Sequence, residues 1–269
     1  MDLMLKDRVA IVTGAGEGIG RKIILTLAEE GAKIVVSDVD SSRAESVAEE
    51  ARALGVEALS IKADVSSWEE VSQMVRQTVD RFGKIDILVN NAGRSANWES
   101  GGGTKPFVET EKKDWDYTID VCLYGALNCS RAVLPHMIEK KYGKIVNMIS
   151  DAGRMGEANM AAYSAAKGGV VAFTKALARE VGRYDINVNG VSAATTKTER
   201  NIRTWEKMKE ELGEEAYDKR MKAILRAYPL RKIGETVDLA RGVVFFCSDC
   251  TNWVTGQVLS ISGGFSMVS

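Results

Sequence analysis

The sequence predicts an α/β protein, a single-domain doubly wound sheet of about seven parallel strands with helices on both faces. Three observations carry this. Short β-branched runs alternate with segments of helical pattern along the chain. The runs are apolar on both faces, as the strands of a covered parallel sheet are. A glycine-rich turn follows the first run and opens the first helical segment. With 269 residues, 45% of them hydrophobic, the chain can bury one large core, and no Pro/Gly/Ser-rich linker divides 1–269.

Taken in order, strands are expected at 9–12, 34–37, 58–63, 87–89, 144–149, 186–191 and 257–261. Helices are expected between them at 18–30, 42–54, 68–82, 112–140, 160–181 and 236–248. Polar residues stand where strands end: Asp38 after the second, Asp64 after the third, Asn90 after the fourth and Ser150 after the fifth. Ligands of such sheets bind at the carboxyl ends of the strands, so these positions are candidates for a site.

Two segments break the alternation. Residues 94–110 form a long loop with Trp98, Phe107 and the triplet Gly101, Gly102, Gly103. Residues 195–228 form a longer excursion whose apolar residues, among them Ile202, Trp205, Met208, Leu212 and Met221, need something to cover. Both follow strands at the ligand edge, and loops this long are usually functional. They are expected to be a substrate loop and a lid. The basic residues Arg200, Arg203 and Lys207 are balanced by Glu199, Glu206 and Glu210 and read as a solvated helix face.

A formal charge of −1 and a pI near 6.1 give no reason to expect nucleic-acid or membrane-surface binding. The first strand begins too early for a signal peptide, and no apolar run reaches the roughly 18 residues of a membrane span. A cytoplasmic protein is expected. The four cysteines are Cys122, Cys129, Cys247 and Cys250, and the single histidine is His136. Cys247 and Cys250 have the spacing of half a metal site, but no second pair completes it, so no metal is expected.

Gly14, Gly16, Gly18 and Gly20 fall in the strand–turn–helix context that a dinucleotide pyrophosphate requires. Glycine there permits the tight turn and a close backbone approach, and the helix N-terminus offers N–H groups to phosphate. Asp38 lies eighteen residues beyond Gly20, where a carboxylate accepts bonds from both adenosine ribose hydroxyls and repels a 2′-phosphate. Glu17 adds a second negative charge, and Ser37 and Val39 provide no basic flank, so NAD is expected rather than NADP. Asp64 either bonds the adenine edge or caps the helix that follows Ser66 and Ser67.

Tyr163 and Lys167 lie one helical turn apart, thirteen residues and more beyond Ser150. A free phenol, with a pKa of about 10, is a poor base, and a lysine on the same helix face favours the phenolate. A serine hydroxyl beside them could hold a reacting oxygen. This constellation suits proton transfer to and from an alcohol.

With the glycine turn, Asn90-Asn91-Ala92-Gly93, the Asp64-Val65 pair, Ser150, Tyr163 and Lys167 in order, the chain resembles the short-chain dehydrogenase/reductase family over its full length. The resemblance implies a Rossmann-type fold, a homotetramer, and hydride exchange between a nicotinamide and a secondary alcohol or ketone. It implies catalytic roles for Ser150, Tyr163 and Lys167. Cofactor contacts are implied for Gly14, Glu17, Gly18, Ile19, Gly20, Asp38, Asp64, Val65, Asn90, Asn91, Ala92, Gly93, Thr196 and Thr198, with Tyr163 and Lys167. In this reading Tyr163 is the general acid/base, Ser150 holds the substrate oxygen, and Lys167 lowers the tyrosine pKa and binds the nicotinamide ribose.

Two departures stand out. Cys122 replaces the family asparagine of the helix before the fifth strand, and a thiol is not expected to copy an amide, so a slowed or altered proton relay is expected. Ala193 and Ala194 replace the Pro-Gly pair after the sixth strand, which alters the loop carrying Thr196 and Thr198. The similarity is greatest to bacterial members acting on alicyclic hydroxyacyl-CoA substrates, where Arg94 and Arg154 would meet an anionic or polar substrate. A cyclic-alcohol dehydrogenase, a 3-oxoacyl thioester reductase and a non-catalytic NAD-binding subunit or sensor are the alternatives.

Overall fold

The computed structural model describes residues 2–94 and 105–268. Its elements run β1 (Val9–Thr13), α1 (Gly18–Glu29), β2 (Lys33–Asp38), α2 (Ser41–Ala53), β3 (Ala58–Lys62), α3 (Trp68–Phe82) and β4 (Ile87–Asn90). There follow α4 (Lys112–Ile119), a π-helical turn (Asp120–Tyr124), α5 (Gly125–Lys140), β5 (Gly143–Ser150), α6 (Ala152–Met155), α7 (Ala161–Val181) and β6 (Ile186–Ala193). The chain closes with β7 (Thr196–Lys197), α8 (Glu199–Leu212), α9 (Glu214–Arg226), β8 (Gly234–Glu235), α10 (Thr236–Cys247) and β9 (Val258–Ile261).

Seven strands form one parallel sheet in the order β3-β2-β1-β4-β5-β6-β9. The order reverses between β1 and β4, and ligands of doubly wound sheets bind at such a switch point. Alternate strand residues supply two separate cores. Ala10, Val12, Ile34, Val36, Val89 and Val146 pack with α1, α2 and α10. Ile11, Val35, Leu88, Ile145 and Val188 pack with α3, α5 and α7 on the other face. Burying each of Ile23, Ile24 and Leu27 of α1 contributes roughly 1.5–3 kcal/mol.

The segment expected as one helix over 112–140 is interrupted. Gly125 N–H reaches Asp120 O, five residues back, which makes the π turn. This turn buries Cys122, and α5 then begins at Gly125, where a Cβ would come within 2.6 Å of Val65 Cγ2. The excursion after β6 forms two helices, α8 and α9, neither of which has a buried residue. Ile202 and Leu212 remain 41% and 42% exposed, while Trp205, Met208 and Met221 are half-buried. A short parallel pair, β7 with β8, ties the start of the excursion to the start of α10.

Candidate active site

The turn between β1 and α1 is shaped by close backbone approach. Gly14 has φ +59°, and a Cβ there would come 2.8 Å from Ala92 Cα; one on Gly20 would come 2.4 Å from Gly14 O. The turn is braced from β4: Asn91 Nδ2 donates to Thr13 O at 2.9 Å and to Gly14 O at 2.8 Å. Thr13 Oγ1 accepts from the N–H groups of Asn91 and Ala92, both at 3.2 Å. Glu17, the N-cap of α1, makes no side-chain cap bond, so the first turn, with Gly18, Ile19 and Gly20, offers its N–H groups to a ligand.

At the end of β2, Asp38 is buried and accepts from Gly16 N–H at 2.9 Å and from Asp40 N–H at 3.0 Å. Arg43 of α2 sits beside it, bonded through Nε to Asp40 Oδ2 at 2.9 Å and 3.4 Å from Glu17 Oε2. The sequence reading missed Arg43 because it looked for basic residues only next to Asp38 in the chain. Asp64 Oδ1 accepts from Ser66 N–H at 2.9 Å and Ser66 Oγ at 2.7 Å, an Asx turn, while Ser67 is the N-cap of α3. Val65 is buried behind it.

Asn90, expected to shape the cofactor floor, is buried in a chain of side-chain bonds beneath it. Its Nδ2 donates to Asn147 Oδ1 at 2.8 Å and to Ser130 Oγ at 3.0 Å. Asn147 in turn donates to Thr174 Oγ1 at 2.9 Å. These bonds fasten β4 to β5, α5 and α7. They set the height at which Ala92 and Gly93 leave the sheet.

Ser150 ends β5, and the first turns of α7 bring Tyr163 and Lys167 up to it. The Ser150 hydroxyl hydrogen-bonds the Tyr163 phenol and favours its ionised form, as does the nearby charge of Arg200; burial outweighs both and pushes the phenol above its usual pKa. Tyr163 as a residue is half-buried, and its phenolic end is the enclosed part. Lys167 is buried, and burial pulls its ammonium below the usual lysine range. Its Nζ donates to Met148 O at 2.8 Å and lies 6.0 Å from the Tyr163 ring centroid. On the opposite side it comes within 2.9 Å of where a Cβ of Gly93 would stand.

Cys122 does more than the sequence reading allowed. Its sulfur accepts from Arg94 N–H at 3.3 Å, and its thiol donates to Arg94 O at 3.3 Å. The thiol therefore copies the donor–acceptor pairing expected only of an amide, because the π turn brings it opposite the backbone of a single residue. Burial raises the thiol pKa, so it stays a donor.

Asp151, which the sequence does not single out, is buried among hydroxyls. It accepts from Ser192 Oγ at 2.5 Å and from Ser260 Oγ at 3.2 Å, and its N–H donates to Ala193 O at 3.0 Å. It thereby locks the ends of β5, β6 and β9 together beside Ser150. Ala193 simply continues β6, so the loop forms without the Pro-Gly pair. Thr196 is buried and donates to Ala194 O at 3.1 Å, and Thr198 caps α8 by accepting from Asn201 N–H at 3.3 Å.

Two expectations about arginines change. Arg200 is no part of a solvated face: it is half-buried, within electrostatic reach of Tyr163, Arg94 and Glu17. Helical charge balance could not reveal this, since it does not say which side of α8 meets the site. Arg203 and Lys207 are exposed as expected, at 64% and 71% of their side chains. Arg154 bonds Val268 O through Nη2 and so serves the C-terminal segment. The loop expected at 94–110 falls largely on residues 95–104, outside the described residues, with Trp98 and the glycine triplet.

The glycine turn and the serine–tyrosine pair open onto the same edge of the sheet, on either side of its switch point. Fold and site together define an oxidoreductase that uses a nicotinamide dinucleotide. The short chain dehydrogenase family matches residues 8–209, and the chain belongs to that family. It is 40% identical over 263 residues to (2S)-[(R)-hydroxy(phenyl)methyl]succinyl-CoA dehydrogenase subunit BbsD of Thauera aromatica, covering 98% of both chains. It is 37% identical to the 3-oxoacyl-[acyl-carrier-protein] reductase FabG of Staphylococcus epidermidis, covering 97% of this chain and 100% of that one. The crystal structure of levodione reductase superposes with a TM-score of 0.87 at 32% identity, covering 96% of this chain and 97% of that one.

Proposed function

We propose that the protein is an NAD-dependent dehydrogenase that interconverts a secondary alcohol and a ketone on an acyl thioester. The observation that carries this reading is the Ser150–Tyr163 hydrogen bond beside the buried Lys167 ammonium, at the edge where the cofactor turn opens. The residues fit the dinucleotide: Gly14 leaves no room for a side chain, α1 has uncapped N–H groups, and Asp38, held by Gly16 N–H at the end of β2, would meet the ribose. The bound nicotinamide supplies the hydride acceptor. Ser150 holds the substrate oxygen, and Tyr163 as phenolate takes the hydroxyl proton while the carbinol hydride departs; in reduction Tyr163 returns the proton. Lys167 would hold the nicotinamide ribose, Asn90 to Gly93 would form the floor, and Asp64, Val65, Thr196 and Thr198 would complete the cofactor contacts. Residues 94–110 and 195–228 would wall the substrate pocket.

NAD is supported by Asp38 and Glu17, which would face a 2′-phosphate, and by Arg43, which Asp40 and Glu17 already engage. The acyl thioester follows from the two relatives, one named for a hydroxyacyl-CoA and one for a 3-oxoacyl carrier protein. The second of these favours the alternative of a 3-oxoacyl thioester reductase. The assembly we propose is a homotetramer, supported by the apolar residues Phe245, Trp253 and Leu259 left exposed beside the edge strand β9.

The test follows NADH absorbance with hydroxyacyl-CoA and cyclic secondary alcohols. Tyr163→Phe is expected to lower kcat roughly 10²–10⁴-fold; wild-type turnover no greater than that of this variant would reject the enzyme reading. Asp38→Ala is expected to relax the preference against NADP, and unchanged discrimination would reject the role given to Asp38.

A further inference from the structure

Positive charge is unevenly placed along the chain. Residues 219–232 carry Lys219, Arg220, Lys222, Arg226, Arg231 and Lys232 and no acidic residue, although the net charge of the whole is −1. Lys222 and Arg226 stand one turn apart on α9, at the i, i+4 spacing of a shared helix face. Arg231 joins them from the turn after the helix. Its φ is +54°, its N–H donates to Tyr228 O at 2.9 Å, and its Nη1 donates to Arg226 O at 2.6 Å. The last bond satisfies a terminal carbonyl of α9 and uses one of the five N–H donors of the guanidinium.

Lys222, Arg226, Arg231 and the half-buried Leu225 line a surface groove of about 540 Å³. Sites for small ligands have volumes of this order. Among the described residues, no carboxylate pairs with any of these cations. The acids of α9 lie at its other end, where Glu214 pairs with Lys209 of α8 at 2.9 Å. Cations gathered in one concavity without a counter-charge suit a ligand with several negative charges.

The groove belongs to the substrate side of the sheet. Leu230 N–H donates to Gly263 O at 3.1 Å, and Tyr228 stacks on Phe265 with ring centroids 5.1 Å apart. These contacts tie the segment between Arg226 and Arg231 to the turn that leaves β9. Ile261 of β9 is in register with Ala193 of β6, and Ala193 with Ser150 of β5. With neighbouring strands about 4.8 Å apart, the end of β9 lies about 10 Å from Ser150. An extended pantetheine arm has the backbone length of a peptide of four or five residues, about 15 Å, and so can span that gap. The glycine turn that suits the cofactor pyrophosphate stands across the switch point, at β1 and β2.

We propose that this groove receives the phosphates of coenzyme A, so that the substrate is presented as a coenzyme A thioester. The proposal rests on the acyl-thioester reading above. A nucleotide is favoured over a folded acidic carrier protein because the cations converge on a concavity; a protein partner would need a face of about 800 Å².

The test titrates adenosine 3′,5′-bisphosphate, the phosphorylated end of coenzyme A, by calorimetry into protein saturated with NADH. Wild type is expected to bind it, with an affinity that falls as salt rises. Lys222→Gln combined with Arg226→Gln is expected to weaken binding about tenfold, and the charge-preserving Lys222→Arg with Arg226→Lys to keep most of it. In kinetics, the KM advantage of a β-hydroxyacyl-CoA over the same acyl group on N-acetylcysteamine should shrink about tenfold in the double glutamine variant. No binding by wild type overturns the proposal, as does binding that survives the double glutamine substitution. A KM advantage unchanged by that substitution overturns it too. So does a loss confined to an acyl carrier protein thioester, which would assign the cations to a protein partner. If no thioester is turned over, the dehydrogenase reading fails, and the calorimetry alone decides the groove.

Discussion

Burial and the neighbouring Cys122 raise the Tyr163 phenol, while the Ser150 hydroxyl and the Arg200 charge oppose them and favour the base. Phenolate is the form that accepts a proton, and its fraction grows as pH rises toward the phenol's elevated pKa. Alcohol oxidation should therefore gain rate with rising pH. Ser150→Ala removes a bond that favours the phenolate, so the rising limb of the kcat profile should move to higher pH by about one unit, equivalent to about 1.4 kcal/mol. An unmoved limb in that profile would mean that Ser150 does not tune the tyrosine. The pair Ser150 and Tyr163 was legible because both residue types and their spacing are chemical signals. Asp151 was not, because a lone acid following a strand gives no hint that Ser192 and Ser260 will surround it. Removing those donors would leave a buried carboxylate short of partners, at a cost of about 1–3 kcal/mol.

At the scale of elements, the strands could be read because burial on both faces leaves a continuous apolar run. The π turn could not, since the apolar pattern runs through Val121 and Leu123 without a break and the extra backbone residue is dictated by packing around Gly125. Helices α6 and α7 give a sharper dependence on one residue. A Cβ on Gly153 would come 2.6 Å from the carbonyl carbon and Cβ of Lys167. Backbone cannot yield there as a flexible side chain would. Gly153→Ala should push α7 away from the end of β5, destabilise the fold by about 1–3 kcal/mol and separate Tyr163 from Ser150. Thermal unfolding together with kcat measures both effects; a variant with unchanged melting and full activity would show that the two helices are not held by this contact.

Over the whole molecule, the candidate catalytic groups gather at the carboxyl edge of the sheet, while the opposite edge holds a knot of Arg8, Tyr142, Lys144 and Asp249. A third region, beside β9, leaves Trp253 fully exposed, with Phe245 at 38% and Leu259 at 43%. An apolar sheet edge of this kind invites pairing. Light scattering is expected to give four times the 29.3 kDa chain mass, and Leu259→Glu combined with Trp253→Glu to give smaller species. A wild-type monomer would count against the proposed tetramer. The helices of the excursion contribute no buried residue to the core, although α8 begins against the cofactor turn. With the excursion as the proposed wall of the substrate pocket, recognition and foldedness would be written on different parts of the chain. The outer positions of α8 and α9 can be rewritten to accept another substrate while the sheet and its stability stay as they are, which makes this excursion the place to begin redesigning selectivity.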